Sequence, residues 1–422
     1  LRIARGGFEP TLSATVDRKT FNGSLYYNYA EGELKIPTPF GSDIKFGYER
    51  AIGNFIAADR RTGAPLANPG IFKLGFSLPV GQNIITDARR NALAQARALQ
   101  EVAEADRVGA VNKLLLTAAK DYADWYEAHR RRIIAREGVA QAEFRLNAVR
   151  ARVERGEAAA IDTLEAQLEV QRRTVTRFEA EQRYYAATLT AANYLWDDRT
   201  RPLDVAQGTV PTIAGLEALP VDSTQLPRWL ELAARQHPDL LKIAGRIDQA
   251  QAARTLALQQ VLPFAELSLN SVANRSDPAA LTSANRFDQS YVLGGTVRTP
   301  FLFLRERGRF NAASQRLEIN ELEQTRVQRE VELEVRTAVN DLATIQGILV
   351  LQRQAVQQAR ALLAGEQRRF ENGESQLLIV NLRERLVLDE ELKLASLEAK
   401  YAGARAALAV SIGAPAILPD AR

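Results

Sequence analysis

The stretch Arg152-Val153-Glu154-Arg155-Gly156-Glu157 recurs 217 residues later as Arg369-Phe370-Glu371-Asn372-Gly373-Glu374, so both copies read R-x-E-x-G-E. The same offset, without any gap, aligns further identical residues downstream: Val170 with Val387, Glu181 with Glu398, and Tyr184 with Tyr401. Shared helical composition explains a few such matches but not a repeated motif at equivalent places. The sequence therefore indicates an internal duplication.

Long helices are predicted on both sides of each repeated stretch. Residues 84 to 155 contain no proline and are rich in Ala, Leu, Glu, Gln and Arg, which favour helix. Their apolar residues recur at three- and four-residue steps, as in a coiled-coil-like helix. About 70 helical residues would extend on the order of 105 Å. A second run, from Ile161 to Trp196, follows Gly156 closely enough to fold back as an antiparallel hairpin.

The segments that precede the hairpins have the period of β-strands. In the first half, apolar residues alternate with polar or small ones over residues 12–16, 44–48 and 72–78. The second half has alternating segments between Pro263 and Pro300, after a helix from about Arg228 to Leu262. A proline-free helix (about 304–371) and a return helix (about 377–412) then follow. The sequence thus predicts one strand pair and one long helical hairpin in each repeat.

These patterns predict the domain boundaries. The first repeat covers residues 1–197, with strands over about 11–80, a helical hairpin over about 84–197 and no opening helix. Residues 198–227 form a connector that contains Pro and Gly. The second repeat covers residues 228–413, with a helix over 228–262, strands over 263–300 and a hairpin over 304–412. Residues 414–422 form a C-terminal tail.

The composition argues against an enzyme. The 422 residues include no Cys, which excludes disulfides, thiolate metal sites and cysteine nucleophiles. The only two His, His129 and His237, are far apart in sequence, so we predict no catalytic, cofactor or metal site. The 55 basic and 51 acidic residues are interleaved, as on solvated helices, and do not form the basic patch of a nucleic-acid-binding protein.

The strands suggest a role at a membrane. Phe72, Leu74, Phe76 and Leu78 place apolar side chains on one face of a strand, with small or polar residues on the other. This is the alternation of strands that face lipid on one side and a lumen on the other. Unpaired backbone groups are costly in hydrocarbon, so two strand pairs cannot form a closed wall alone. We therefore expect several copies of the chain to contribute strands to one barrel.

Several motifs, taken in order, resemble the outer-membrane efflux protein family, the TolC-like outer-membrane factors of tripartite efflux pumps and type I secretion systems. The segment from Leu230 to Leu240 resembles the opening of the family's repeat, with His237 in place of the usual Asn before Pro. That position argues for a helix end and against a metal ligand. Val261-Leu262-Pro263 resembles the family's junction between helix and strand, and Phe370 to Ser375 resembles its second hairpin bend.

The resemblance implies a fold that is mainly α with a β-barrel portion. A homotrimer with four strands per chain would form a twelve-stranded outer-membrane barrel, continuous with a periplasmic α-helical barrel. The implied function is a non-enzymatic exit duct that passively conducts substrates to the cell exterior. The implied partners are a periplasmic adaptor (membrane fusion) protein, indirectly an inner-membrane transporter, and outer-membrane lipid, with no nucleic acid. The alternative is a soluble periplasmic coiled-coil adaptor or scaffold protein.

The two glycine bends are the first candidate site. In the family, the corresponding turns form the periplasmic tip that docks adaptor hairpins. The resemblance therefore assigns adaptor docking to six residues: Arg152, Gly156, Glu157, Arg369, Gly373 and Glu374. The alternative is that each glycine simply ends a helix in the left-handed conformation, while the Glu suits the next helix N-terminus. Both interpretations are compatible.

A pore gate is the second candidate site. Some family members close the tip with a ring of acidic side chains that face the lumen. Asp162 occupies the matching position in the first repeat, and we consider a closing bond from it to Arg383 or Arg385. The alternatives are that Asp162 is a solvated charge at a helix N-terminus, or that an apolar constriction gates the pore. The candidates for that constriction are Leu378, Ile379 and Leu382.

Overall fold

The computed structural model describes residues 1–53, 70–213, 223–274, 278–282 and 291–413. The chain is mainly helical with one antiparallel sheet, which confirms this part of the predicted fold class. It divides into two compact units, one of Leu1–Ala105 with Leu241–Arg326 and the other of Asp106–Leu240 with Val327–Arg422. Each unit combines parts of both repeats, so the repeat boundaries stay a prediction.

Two very long helices and their return helices dominate the chain. The long helices have 67 and 68 residues, and the return helices have 33 and 35. Two short 3-10 turns, Ser223–Gln225 and Pro278–Leu281, complete the described elements. The helices and strands follow in chain order: α1 (Arg2–Gly6), β1 (Thr11–Phe21), β2 (Ser24–Pro37), β3 (Asp43–Ile52), β4 (Ile71–Pro79), α2 (Ala88–Glu154), α3 (Ala160–Ala192), α4 (Leu226–Gln236), α5 (Pro238–Val261), β5 (Phe264–Asn274), β6 (Tyr291–Arg298), α6 (Leu304–Glu371) and α7 (Leu377–Ser411).

Within the described residues, no helix combines the length and the hydropathy that crossing a membrane requires.

The sheet has more strands than predicted. Its six strands are hydrogen-bonded in the order β1-β2-β3-β4-β5-β6, all antiparallel. The prediction of one strand pair per repeat is therefore wrong for the first repeat, which contributes four strands. Strand β2 was missed because Glu31, Glu33 and Lys35 make it look like a polar loop, although these charges alternate with residues on the other face. A five-residue helix, α1, precedes β1 in the first repeat.

The helix predicted over residues 228–262 is broken at His237. The backbone there is extended (ψ 128°), as expected for a residue before proline, and Pro238 begins α5. The His237 ring Nδ1 lies 3.3 Å from the backbone nitrogen of Asp239 and accepts its hydrogen bond. The predicted helix-end position of His237 is confirmed. The side chain acts as a cap at the start of α5.

The long helices pack through a repeating apolar seam. On α6, buried residues recur every seven positions at Val335, Leu342, Leu349 and Val356, the spacing of a coiled-coil core position. Two of them, Val335 and Leu342, belong to a buried cluster that also includes Tyr401 and residues near the end of α7. The predicted coiled-coil-like packing follows from this seven-residue period.

Candidate functional site

The first bend closes α2 with a specific backbone motif. Gly156 has a positive φ of 73°, and its N–H donates to the carbonyl oxygen of Val153 at 2.9 Å. The N–H of Glu157 donates to the carbonyl oxygen of Arg152 at 2.8 Å. These two bonds are those of a Schellman cap, which requires a left-handed residue at the glycine position.

The second bend is closed in the same way at the equivalent positions. Gly373 has a φ of 79°, and its N–H donates to the carbonyl oxygen of Phe370 at 3.1 Å. The N–H of Glu374 donates to the carbonyl oxygen of Arg369 at 2.8 Å. The predicted helix-ending role of both glycines is therefore confirmed, whereas their role in adaptor docking stays a prediction.

The two bends contact each other. The Arg152 guanidinium carbon lies 5.0 Å from the centre of the Phe370 ring, which is a cation–π contact between the two hairpins. Beside it, residues from α2, α3 and α7 form a buried cluster of Leu146, Val149, Ala166 and Leu377. Arg152 is thus half-buried, whereas the other five docking candidates are exposed to solvent.

The candidate gate residues do not form the bond that we considered. Arg385 Nη2 lies 2.6 Å from Glu169 Oε2, so Arg385 pairs with a carboxylate about two helical turns beyond Asp162. Neither Arg383 nor Arg385 forms an ion pair with Asp162. Asp162 lies half-buried in the first turn of α3, where the helix dipole favours a negative charge. This position matches the alternative of an N-terminal helix charge.

The apolar gate candidates lie on α7 directly after the second bend. Leu378 and Leu382 are 54% and 51% exposed and, being four residues apart, share one face of the helix. Ile379 is half-buried. The equivalent of Leu378 in the first repeat is Ile161, which is also exposed. An apolar constriction thus stays a prediction, and the exposed Leu378 and Leu382 are the side chains that could form it.

A buried ionic cluster, which the sequence analysis missed, ties α2, α3 and α7 together. It consists of Arg145, Glu169, Arg173, Glu384 and Arg385 and is called here the Glu384 cluster. The Glu384 side chain is only 2% exposed and is bound by both Arg145 and Arg173, with Arg173 Nη2 2.8 Å from Glu384 Oε2. Arg173 Nε also lies 3.0 Å from Glu169 Oε1.

The electrostatics of the Glu384 cluster follow from its composition. Burial by itself opposes ionisation of Glu169, but the guanidinium groups of Arg385 and Arg173 hold its pKa below the usual value. Arg173 donates a third bond, from Nη1 to the carbonyl oxygen of Gly138 at 3.0 Å. The spacing in the sequence offers one signal for these residues. Arg173 follows Ala166 by seven residues and Glu384 follows Leu377 by seven, which is the repeat of a coiled-coil core position. The structure shows that Ala166 and Leu377 are buried.

Helix α3 carries an apolar stripe that no described part of the chain covers. Its residues follow the alternating three- and four-residue steps of a coiled-coil seam, with glutamine at positions 171 and 182. All its apolar members are exposed: Ile161, Leu164, Leu168, Val175, Phe178, Tyr185 and Leu189. A seam of this kind fits a further helix.

The sheet has one apolar face. The strand registers place Ile36, Ile44, Phe76, Leu269 and Leu293 in one row across five adjacent strands. A second row on the same face joins four strands: Leu12, Leu34, Phe46 and Leu74. Many of these side chains are solvent-exposed in the single chain, up to 80% for Leu12. Such a large exposed apolar surface marks an interaction with a membrane or a partner.

The opposite face of the sheet carries nearly all the strand charges. Lys35 Nζ and Arg89 Nη1 each lie 2.8 Å from the Asp43 carboxylate. Lys73 binds Glu49, and Tyr29 donates to Glu31 and Glu49. On this face Tyr27 and Tyr29 pack together.

Two strand charges are exceptions to this separation. Arg18 and Arg50 lie on the apolar face, near the ends of β1 and β3 that are farthest from the helices. Long Arg side chains near the edge of an apolar surface can extend their charged ends into water. Among the described strand residues, the remaining charges share the face of Glu49, so the sheet has one apolar side and one charged side.

Known proteins with a similar fold are outer-membrane channels. Residues 229–414 match the family model described as Outer membrane efflux protein. The solved structure of VceC, an outer membrane protein from Vibrio cholerae, is 16% identical with a TM-score of 0.65, over 98% of this chain and 89% of that chain. The MtrE outer membrane channel of Neisseria gonorrhoeae in its open state is 15% identical with a TM-score of 0.64, over 98% and 82%.

The CmeC outer membrane channel of Campylobacter jejuni is also similar, at 13% identity and a TM-score of 0.62, over 98% of this chain and 79% of that chain. No curated protein sequence matches the chain. The comparisons therefore show an outer membrane efflux protein domain in the second half and, for nearly the whole chain, the fold of outer-membrane channels.

Proposed function

We propose that this chain, with an outer membrane efflux protein domain over residues 229–414 and the fold of outer-membrane channels, is itself an outer-membrane efflux channel. The observation that carries the proposal is the two-faced sheet. Its exposed apolar rows suit contact with lipid, and its charged face suits a water-filled lumen. The conduction is passive, and the residues act by forming a wall and not by catalysis.

The wall requires more than one copy of the chain. Strands β1 and β6 are the two edges of the sheet, and unpaired edges are not tolerated in hydrocarbon. We propose a homotrimer in which β1 of one copy pairs with β6 of the next, and in which the exposed stripe of α3 packs on a neighbouring copy. The twelve strands that the family resemblance implies would use four from each chain, so they would leave one hairpin of the six-stranded sheet outside the wall.

In this proposal the unit of Asp106–Leu240 and Val327–Arg422, called here the helical unit, extends into the periplasm. There the bends at Gly156 and Gly373 dock a periplasmic adaptor, which links the channel to the inner-membrane transporter of a tripartite pump or type I secretion system. The exposure of Glu157, Arg369 and Glu374 supports docking at this place. The alternative, a soluble adaptor or scaffold, does not require a sheet with an exposed apolar face.

The first test is the mass and shape of the particle. We expect the chain to be extracted only by detergent and to form a trimeric hollow cylinder, as measured by light scattering and negative-stain imaging. A parallel preparation without detergent is the control. A soluble monomer or dimer without a central channel in that preparation would contradict the proposal and favour the scaffold.

The second test concerns docking at the bends. We expect Glu157→Arg combined with Glu374→Arg to abolish dye efflux by cells that depend on this channel, while trimers still reach the outer membrane. Glu143→Arg is the matched control, because it reverses an exposed charge on α2 about three turns before the bend. Wild-type efflux by the double variant would rule out docking through these carboxylates.

A further inference from the structure

The β2–β3 hairpin, residues 24–52, lies between β1 and β4 in the sheet, and a count of four strands per chain leaves one hairpin out. In that count, the first repeat would supply one strand pair. We infer that β2 and β3 are two additional membrane-spanning strands, so that each copy brings six strands to the wall and three copies close an eighteen-stranded barrel. This inference rests on the proposed membrane role of the sheet.

The position of the β2–β3 turn shows that both strands extend over the full height of the sheet. The turn between Pro37 and Asp43 is closed by Thr38, whose N–H donates to the Ser42 carbonyl oxygen at 2.8 Å. Asp43 pairs with Ser77, two residues before the end of β4. The turn therefore lies at the end of the sheet from which β4 leads to α2.

The turn is also fixed to the start of α2. Arg89, in the first turn of that helix, lies 2.8 Å from the Asp43 carboxylate through Nη1. A side chain added at Gly41, whose φ is +85°, would collide with Arg90. Strand β2 therefore runs down to the helical end and β3 runs back up, each over the height covered by β1 and β4.

The lengths of both strands suit a bilayer. A membrane-spanning strand needs about 9–11 residues. Strand β3 has 10 residues and β2 has 14, compared with 9 in β4 and 11 in β5. The two strands of the hairpin are thus about as long as β4 and β5 beside them, or longer.

The hairpin continues both faces of the sheet without interruption. On the apolar face, Ile36 and Ile44 stand in the same row as Phe76, and the Phe46 and Phe72 rings stack with their centres 5.9 Å apart. On the charged face, Glu49 of β3 binds Lys73 of β4. A hairpin folded away from the wall would place Ile36, Ile44 and Phe46 in water, so the acyl chains of lipid are the occupant that their chemistry fits.

Six strands per copy change the width of the channel. With strands about 4.8 Å apart and tilted about 40°, twelve strands give a backbone diameter of about 24 Å and eighteen give about 36 Å. Barrels of 16–18 strands leave an aqueous channel through their centre. The membrane section would then admit bulkier solutes than a twelve-stranded wall, and size selection would fall to another part of the duct.

Lipid contact can be tested directly because the chain has no cysteine. Single variants Leu34→Cys and Phe46→Cys are labelled with bimane and reconstituted as trimers into vesicles of brominated phosphatidylcholine. Phe76→Cys on β4 is the positive control, and Glu33→Cys, on the charged face beside Leu34, is the negative control. We expect the brominated lipid to quench bimane fluorescence at positions 34 and 46 as strongly as at position 76. Fluorescence at position 33 should remain unquenched.

The outcomes separate this inference from the proposed function. Quenching at 76 without quenching at 34 and 46 would overturn the six-strand wall and leave the outer-membrane channel intact. Absence of quenching at all four positions would contradict the membrane role of the whole sheet. A cross-section of the wild-type trimer by electron microscopy is the second measurement, and a wall about 24 Å rather than about 36 Å wide would also overturn the inference.

Discussion

Gly156 and Gly373 are the residues on which the two hairpin bends depend. Both have positive φ values, 73° and 79°, and a side chain would meet no atom within 4 Å at either place. The only cost of a substitution is therefore the left-handed backbone, about 1–2 kcal/mol for a residue with a Cβ. We expect Gly156→Ala and Gly373→Ala each to lower the unfolding free energy by about 1 kcal/mol, measured by denaturant unfolding in detergent.

Gly365 is the matched control for this prediction. It lies inside α6, eight residues before the second bend, and a Cβ there would likewise meet nothing within 4 Å. Because its backbone is helical, Gly365→Ala is expected to stabilise the protein by about 0.5–1 kcal/mol. Equal effects of the alanine at positions 365 and 373 would show that the bends do not need the left-handed conformation.

His237 gives the helical unit a pH dependence. Burial lowers the pKa of its imidazole, and the nearby charges of Asp239 and Glu334 only partly oppose this shift. The folded state therefore binds a proton less readily than the unfolded state, so the stabilisation is complete above about pH 6.5 and is lost as the pH falls below it. We expect the Tm to fall more steeply between about pH 7.5 and about pH 5.5 in wild type than in His237→Asn.

Asn is an appropriate replacement because its side-chain oxygen can accept the hydrogen bond of the Asp239 N–H without titrating. Parallel Tm curves for wild type and His237→Asn would contradict the assignment of the slope to His237.

At the scale of elements, the Glu384 cluster joins α2, α3 and α7. Replacing Glu384 by Gln removes the negative charge that compensates Arg145 and Arg173, and the Arg173 side chain is only 7% exposed. Removing one partner of a buried ion pair typically costs about 3–5 kcal/mol. We expect Glu384→Gln to lower the unfolding free energy of the assembled protein by about 3 kcal/mol, measured by denaturant unfolding.

Glu332→Gln is the control for a charge in an exposed network. Glu332 pairs with Arg329 and Arg336 on the surface of α6, where water screens the interaction, so we expect no measurable change. If Glu384→Gln were as mild as this control, the cluster would not hold the three helices together.

At the scale of the whole molecule, the exposed stripe of α3 is expected to drive assembly. Leu164→Glu combined with Leu168→Glu places two charges on the stripe, and burying them against a neighbouring copy would be costly. We expect the detergent-extracted protein to shift from trimer to monomer by light scattering. The variant with Met at both positions, which conserves volume and apolar character, should remain trimeric.

A trimer that survives the double Glu substitution would show that the α3 stripe is not part of the contact between copies. The two-faced sheet would then be the remaining support for association, through its open edges β1 and β6.

The sequence by itself determined the features that depend on local spacing. The repeated R-x-E-x-G-E motif indicated both bends, because only glycine readily takes the left-handed conformation that ends a helix there. The seven-residue period on α6 and the alternation at Phe72, Leu74 and Phe76 indicated helix and strand, because each element presents a fixed periodicity to its core. The extended residue before Pro238 likewise followed from proline geometry.

The tertiary structure alone decided which distant residues meet. Glu384 is bound by Arg145 and Arg173, which are more than 200 residues earlier in the chain, so no local pattern could identify the pairs. Strand β2 was hidden because its charges resemble a loop until the register of β3 gives them a common face. Sequence periodicity reports the conformation of one segment, whereas ion-pair partners, strand number and exposed faces depend on how separate segments pack.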